Sequence, residues 1–270
     1  MRLQDLHTHS RFDDGAGTLE QMVRSARRKG LSAIGLSAHS PIRRDVMWTM
    51  QEPAVEEYLS ECARLREKYQ GKIQVFCGIE LDLRSNMDLS PFDYVLGSNH
   101  AIFVNDTNFD VDDSPQVAWE GIQTHFGGDC DRAAEVYFSQ YHAIAENSKI
   151  DIVSHFDLLT KFDERAEIYH PESPRFQKAA KEAMEELVAA GKIFEVNTGG
   201  IARGYRSIPY PTGNLLPLLY QMGGKICLSS DAHAPHTIAY AFPETIGRIK
   251  AAGFRSMWVL TANGFAEETL

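Results

Sequence analysis

Seven short apolar runs, at residues 3–6, 33–36, 73–77, 94–96, 150–153, 193–196 and 225–228, alternate with stretches of helical character, and this rhythm is what most constrains the fold. Most of the runs are partly β-branched and lack the polar alternation of a half-exposed strand, as strands buried on both faces do. Between them, residues 52–69, 131–148, 173–190, 215–222 and 238–252 read as helices. Thr18-Leu-Glu-Gln21 has the form of a capping box opening a further helix to Lys29, with Gly30 as its stop. A strand–helix unit repeated about seven times predicts an α/β fold with a parallel sheet, most economically closed into a barrel, in one domain over residues 1–270. Residues 256–260 form either an eighth strand or a tail packed beneath the barrel. Residues 101–128 read as one long irregular loop carrying Asp106, Asp110, Asp112, Asp113 and Trp119, of the length that is usually functional.

The residues just after each run are chemically alike. The first run leads into His7 and His9, the second into His39, the third into Glu80 and the fourth into His100. His155 comes after the fifth, Asn197 after the sixth, and Asp231 and His233 after the seventh. In a parallel barrel all of these strand ends lie on one face, so residues distant in sequence become neighbours. His7-Thr-His9 alone is an ordinary occurrence, and Asp231 alone could cap a helix. Six histidines placed directly after strands, joined by two carboxylates, do not fit a set of unrelated buried hydrogen bonds. Imidazole and carboxylate without thiolate suit zinc, manganese or iron, and there are more ligands than one ion needs. Two or more divalent ions suit phosphoryl transfer, where they activate water and neutralise phosphate oxygens. A metal-dependent amidohydrolase stays open on this argument, although no lysine stands where such sites carry a carboxylated one.

Arg203 comes after the sixth run on the same face, and its planar fork suits phosphate oxygens. Lys161 and Arg206 are the second choices for that role, whereas Arg43, Arg44 and Arg165 are expected to be solvated. The chain has 27 basic and 37 acidic residues and a net charge of −10, which disfavours binding a nucleic-acid backbone. Its four cysteines, Cys62, Cys77, Cys130 and Cys227, form no C-x-x-C pair, so a thiolate metal site or disulfide scaffold is not expected. With no run of about 18 apolar residues and no apolar leader at its start, the chain is expected in the cytoplasm and off the membrane.

Taken together, Asp5-Leu-His7-Thr-His9-Ser, Phe12-Asp13-Asp14-Gly15, Ser37-Ala-His39, Gly78-Ile-Glu80, Gly97-Ser-Asn-His100, Ser154-His155-Phe-Asp157 and Ser229-Ser-Asp231-Ala-His233 resemble the polymerase and histidinol phosphatase (PHP) superfamily. The resemblance implies a distorted (β/α)7 TIM-like barrel with a trinuclear metal site. It implies that His7, His9, Glu80 and Asp231 hold one metal, Glu80, His100 and His155 a second, and Asp14, His39 and His233 a third. Asp14 stands where many relatives have histidine, and Asp13 is the competing choice.

The length, the segment before the acidic stretch and Glu195-Val-Asn-Thr-Gly-Gly-Ile-Ala-Arg203 resemble the stand-alone histidinol-phosphate phosphatases. That resemblance implies hydrolysis of L-histidinol phosphate to L-histidinol and phosphate by water activated at two to three divalent ions, in histidine synthesis. Asp231, His233 and Arg203 would be the catalytic groups. The acidic stretch with Trp119 would face the amine and imidazole of the substrate. The alternatives are a PHP-type phosphoesterase acting on a nucleotide, a phosphotyrosine or a nucleic-acid end, and a catalytically silent metal-binding module. His170 and His236 are candidates for protonating the leaving group, His125 and His142 are expected to be structural or solvated, and Asp157 is expected to be a helix cap or a partner of a ligand.

Overall fold

In the computed structural model, which describes residues 2–42 and 46–270, the apolar runs pair side by side. In chain order the strands are β1 (Gln4–Asp5), β2 (Ala33–Leu36), β3 (Gln74–Asp82), β4 (Tyr94–Ser98), β5 (Ala101–Val104), β6 (Thr107–Asp110), β7 (Ile152–Val153), β8 (Ile193–Asn197), β9 (Lys225–Ser229), β10 (Ser256–Thr261) and β11 (Gly264–Thr269). Seven of them form one sheet in the order β1-β2-β3-β4-β7-β8-β9, and every pairing in it is parallel. Beyond the ends of β1 and β9 the sheet turns back on itself. Thr8 and Ala232 form a parallel bridge, and the buried Asp5 carboxylate accepts from Ser230 N at 2.9 Å and from Ser230 Oγ at 2.5 Å. The result is the nearly closed, distorted seven-stranded barrel expected of the chain.

The interior is filled from every strand, because alternate residues of each point inward. Leu6, Ala33, Phe76, Tyr94, Leu96, Ile152, Ile193 and Cys227 make one buried cluster. Tyr94 crosses that interior and donates to the Leu6 carbonyl at 2.5 Å. It fits because Gly35 and Gly78 face it: a Cβ on either would lie 2.0 Å and 2.2 Å from its side-chain atoms. A second, larger core lies between the strands and the outer helices.

The capping box forms as expected, with Gln21 N donating to Thr18 Oγ1 and Thr18 N to Gln21 Oε1. It opens the helix Leu19–Arg28, which buries Leu19, Met22, Val23 and Ala26. Residues 131–148 divide into two helices, Cys130–Ser139 and His142–Glu146, and the last long helix begins later than expected, at Phe242–Ala251. Residues 101–128 are not irregular: β5 and β6 form an antiparallel hairpin, and Pro115–Phe126 is a helix capped by Ser114. The C-terminal run is the tail beneath the barrel rather than an eighth barrel strand. β10 pairs only with β11, and the Gln4 side chain bonds both backbone groups of Leu260. No helix among the described residues is long and apolar enough to cross a membrane. Arg43 and Arg44 lie outside the described residues.

Candidate metal centre

Glu80, on β3, has no exposed surface and sits among five imidazoles. Its Oε1 lies 2.9 Å from His155 Nε2 and 3.5 Å from His100 Nε2. Its Oε2 lies 2.7 Å from His39 Nδ1, 3.2 Å from His7 Nε2 and 3.7 Å from His9 Nε2. Burial alone would raise its pKa, but these imidazoles outweigh burial and hold it well below the usual carboxylate range.

Asp231 joins the ring through Oδ1, 3.3 Å from His9 Nε2 and 3.4 Å from His233 Nδ1. Its backbone takes φ 49°, an unfavourable region for a non-glycine residue that turns the chain sharply after β9. Asp14 Oδ1 completes the outer side, 3.2 Å from His233 Nε2 and 3.8 Å from His39 Nε2. All nine residues expected as ligands are thus brought to one end of the barrel. Asp13 is instead occupied with other groups: its carboxylate accepts from His9 Nδ1, the His39 amide and the Ser10 amide.

The donor set fits divalent cations. Four overlapping groups have ligand atoms within 4.8 Å of one another: His9–Asp14–His39–His233, His7–Glu80–His155, His7–His9–Asp231 and His39–Glu80–His100. His7 Nε2, His9 Nε2, His39 Nδ1 and Glu80 Oε2 are buried and make no hydrogen bond of acceptable geometry. Buried polar atoms are rarely left so, because the desolvation cost is then uncompensated.

Behind this ring stands a set of carboxylates that orients it. Glu195 accepts from His7 Nδ1 at 2.7 Å, Asp13 from His9 Nδ1 at 2.7 Å and Asp82 from His100 Nδ1 at 2.8 Å. Each fixes the ring so that Nε2 points to the cluster, the arrangement expected of metal-ligating imidazoles. The same carboxylates keep protons on the rings in the chain as it stands. Burial opposes this, but Asp13 outweighs it for His9, whose pKa is pushed up to about 10. Burial is likewise outweighed at His100, by Asp82 and Glu80, to about 9, and at His7, by Glu195, Glu80 and Asp231. His233 is pushed the other way, by burial and by the charge of His9.

A cavity of about 260 Å³ opens onto the cluster. Arg203 lines it, held by Nη2 to Asp231 Oδ2 at 2.9 Å and by Nη1 to the Asp231 carbonyl at 3.1 Å. This close pairing depends on Gly199, where a Cβ would lie 2.7 Å from Asp231 Oδ2 and 2.8 Å from Arg203 Nη2. Lys161 lines the same cavity, its Nζ on the Asp112 carbonyl at 2.7 Å, with Asp110, Asp112 and Asp113 on the rim. A larger cleft of about 680 Å³ lies at the opposite end of the barrel, against the C-terminal hairpin, and holds no part of this cluster.

Two expected substrate residues are elsewhere. Arg206 is buried and spends its guanidinium on Thr160 and Thr212, over the Tyr210 ring, because its segment folds back behind the site. Trp119 is 44% exposed on the helix Pro115–Phe126, which does not reach the cavity. The indole in the cavity wall is Trp48, edge-on to His39 at 4.7 Å and to His100 at 5.3 Å. Trp48 comes after β2, and its place in a loop on the ligand-bearing face is the signal that could have found it. Tyr205, which also lines the cavity, and the orienting Asp82 and Glu195 have no signal in the apolar runs. The last two sit two residues from Glu80 and Asn197, and so point to the same side of their strands.

His170 and His236 are exposed and do not line the cavity. His142 is exposed and paired with Glu186, and His125 stacks on Phe109. Asp157 stands at the N-cap of the short turn Leu158–Thr160, but its buried side chain makes no capping bond and accepts instead from the Thr212 amide.

The family model of the PHP domain matches residues 5–199. The curated "Probable histidinol-phosphatase" of Schizosaccharomyces pombe is 24% identical over 263 residues, 90% of this chain and 84% of that protein. A solved structure from Listeria monocytogenes superimposes with a TM-score of 0.80 at 17% identity, covering 90% of this chain and 99% of its own. The histidinol phosphate phosphatase of Lactococcus lactis, solved with zinc, L-histidinol and phosphate, superimposes with a TM-score of 0.69 at 20% identity, over 97% of this chain and 98% of its own.

Proposed function

The chain belongs to the PHP domain family, and we propose that within it this protein hydrolyses L-histidinol phosphate to L-histidinol and phosphate. The observation that carries this reading is the cluster of nine imidazoles and carboxylates centred on Glu80, open to a small cavity that also holds Arg203 and Lys161. The curated relative's name and the L-histidinol and phosphate in the Lactococcus lactis structure support the choice of substrate.

Two to three divalent ions, zinc, manganese or iron, would be held by His7, His9, Glu80 and Asp231, by Glu80, His100 and His155, and by Asp14, His39 and His233. Bound there, such ions lower the pKa of water and offset the charge of phosphate oxygens. The chain supplies the rest. Arg203 and Lys161 are two fixed cations on the cavity wall, placed to take the non-bridging oxygens and to stabilise charge that builds as phosphorus is attacked. Asp231 keeps the Arg203 fork in place, and with His233 it shapes the floor on which the phosphate rests. Trp48 offers a ring face for an imidazole, and the aspartate rim suits a substrate amine while repelling polyanions.

Phosphate release from L-histidinol phosphate, p-nitrophenyl phosphate and nucleoside monophosphates by the zinc-loaded protein tests this. A preference for L-histidinol phosphate of at least about a hundredfold in kcat/KM is expected of a site with matched polar partners. Equal turnover of all three, or a preference for a nucleotide, would sink the substrate assignment while leaving the metal centre standing.

A further inference from the structure

Arg84 lies just beyond the end of β3 and does not line the cavity, yet it is bonded to two parts of the site and packed against a third. Its Nε and Nη2 grip the two oxygens of Asp82 at 2.8 Å and 3.0 Å. Its Nη1 reaches Asp110, the last residue of β6, at 2.7 Å. Its guanidinium lies 5.5 Å from the centre of the Trp48 ring. With the side chain only 12% exposed, this is not a solvent-screened surface pair.

Each of these partners bears on the cluster. Asp82 holds His100 Nδ1 at 2.8 Å and so aims Nε2 toward Glu80 Oε1. Trp48 packs edge-on against His39 and His100, and Asp110 stands on the cavity rim. A bidentate fork restricts a carboxylate to one plane, which a single ammonium contact does not do. Asp82 Oδ1 also accepts from the Arg84 amide at 2.7 Å, so losing the guanidinium leaves that oxygen held and frees Oδ2, the one that holds the His100 ring.

We propose that Arg84 is a positioning residue of the metal centre, which locks Asp82 so that His100 presents Nε2 beside Glu80, and which ties the Trp48 wall and the β5–β6 hairpin to that same ligand. The inference rests on reading the cluster as a metal centre, but not on the identity of the phosphate substrate.

The test is zinc affinity, one equivalent at a time, by competition with a chromophoric chelator on the full chain. The variants are Arg84→Met, Arg84→Lys, Asp82→Asn and the double variant Asp82→Asn/Arg84→Met. Partners of metal-ligating histidines typically change metal affinity by about 10–100-fold. Arg84→Met is therefore expected to weaken one equivalent by about tenfold and leave the others unchanged, with Arg84→Lys between it and the parent. If Arg84 acts through Asp82, the double variant is no weaker than Asp82→Asn alone.

Unchanged zinc affinity in Arg84→Met, or additive losses in the double variant, would overturn the proposal. Should Arg84→Met fail to give the parent's circular dichroism, Arg84→Lys is read by the same criteria. Tight zinc binding with the expected Arg84 effect, but no turnover of L-histidinol phosphate, would refute the substrate assignment and leave this inference intact.

Discussion

A carboxylate as buried as Glu80, with five imidazole nitrogens within 3.7 Å of its oxygens, is stable as an anion only while positive charge surrounds it. Glu80→Gln removes that anion from between His7, His39 and His155. It is expected to lower kcat by at least about a thousandfold, the scale of charge stabilisation a metal cluster supplies, and to lower the zinc content measured by elemental analysis. Glu195→Gln acts one step further out. It keeps the shape but weakens the hold on His7 Nδ1 and the His155 amide, so zinc affinity should fall by about 10–100-fold with little change in fold. An unaltered affinity would mean that Glu195 serves the barrel rather than the ligands. Eight of the nine proposed ligands are legible in the sequence because each stands close after an apolar run, whereas Asp14, eight residues beyond the first run, is picked out only by the family resemblance. The carboxylates behind them are not legible, since nothing in a linear sequence says that Glu195 and His7 meet across 188 positions.

At the scale of elements, the barrel rests on strands of two to nine residues, two of them only two long. The helices must therefore hold the geometry. Thr18→Ala deletes the hydroxyl half of the capping box before the helix Leu19–Arg28 and should cost about 1 kcal/mol. In a chain of this size that lowers Tm by about 2–4 °C, read by thermal denaturation, with catalysis unaffected because Thr18 touches no ligand. Strongly periodic helices such as 173–190 can be read from sequence, but the region 101–128 cannot. Each arm of its hairpin has only four residues, and the turn is Asn105-Asp106 with Asn105 at φ 54°, rather than the glycine-bearing pair that usually marks a hairpin. The helix after it does carry signals, in Ser114-Pro115 at its start and the left-handed Gly127 at its end. The density of aspartates just before it masks them, because such a cluster is also what a solvated loop presents.

For the whole molecule, the proton inventory of the cluster sets its pH behaviour. An ordinary histidine titrates near 6.5, whereas folding raises His9 to about 10 and His100 to about 9. Because the folded-state values are the higher ones, the stabilisation they give the metal-free protein is full below about pH 6.5 and is lost as pH rises through about 9 to 10. The Tm of the metal-free protein should fall over that upper range. Cations need these imidazoles unprotonated, so zinc binding must release protons near neutrality, and zinc affinity should rise with pH over the same interval. Calorimetry in buffers of different ionisation enthalpy reads the released protons directly, and a binding enthalpy independent of buffer would contradict the assignment of His9 and His100 as ligands.

The metal-dependent hydrolysis is tested most directly by titrating metal-free protein with zinc while following phosphate release from L-histidinol phosphate, with His9→Ala in parallel. The rate is expected to climb with each addition and level off at two to three equivalents, and the variant to stay near the baseline throughout. Equal turnover by the metal-free protein, or full zinc loading with no phosphate released, would contradict metal-dependent hydrolysis.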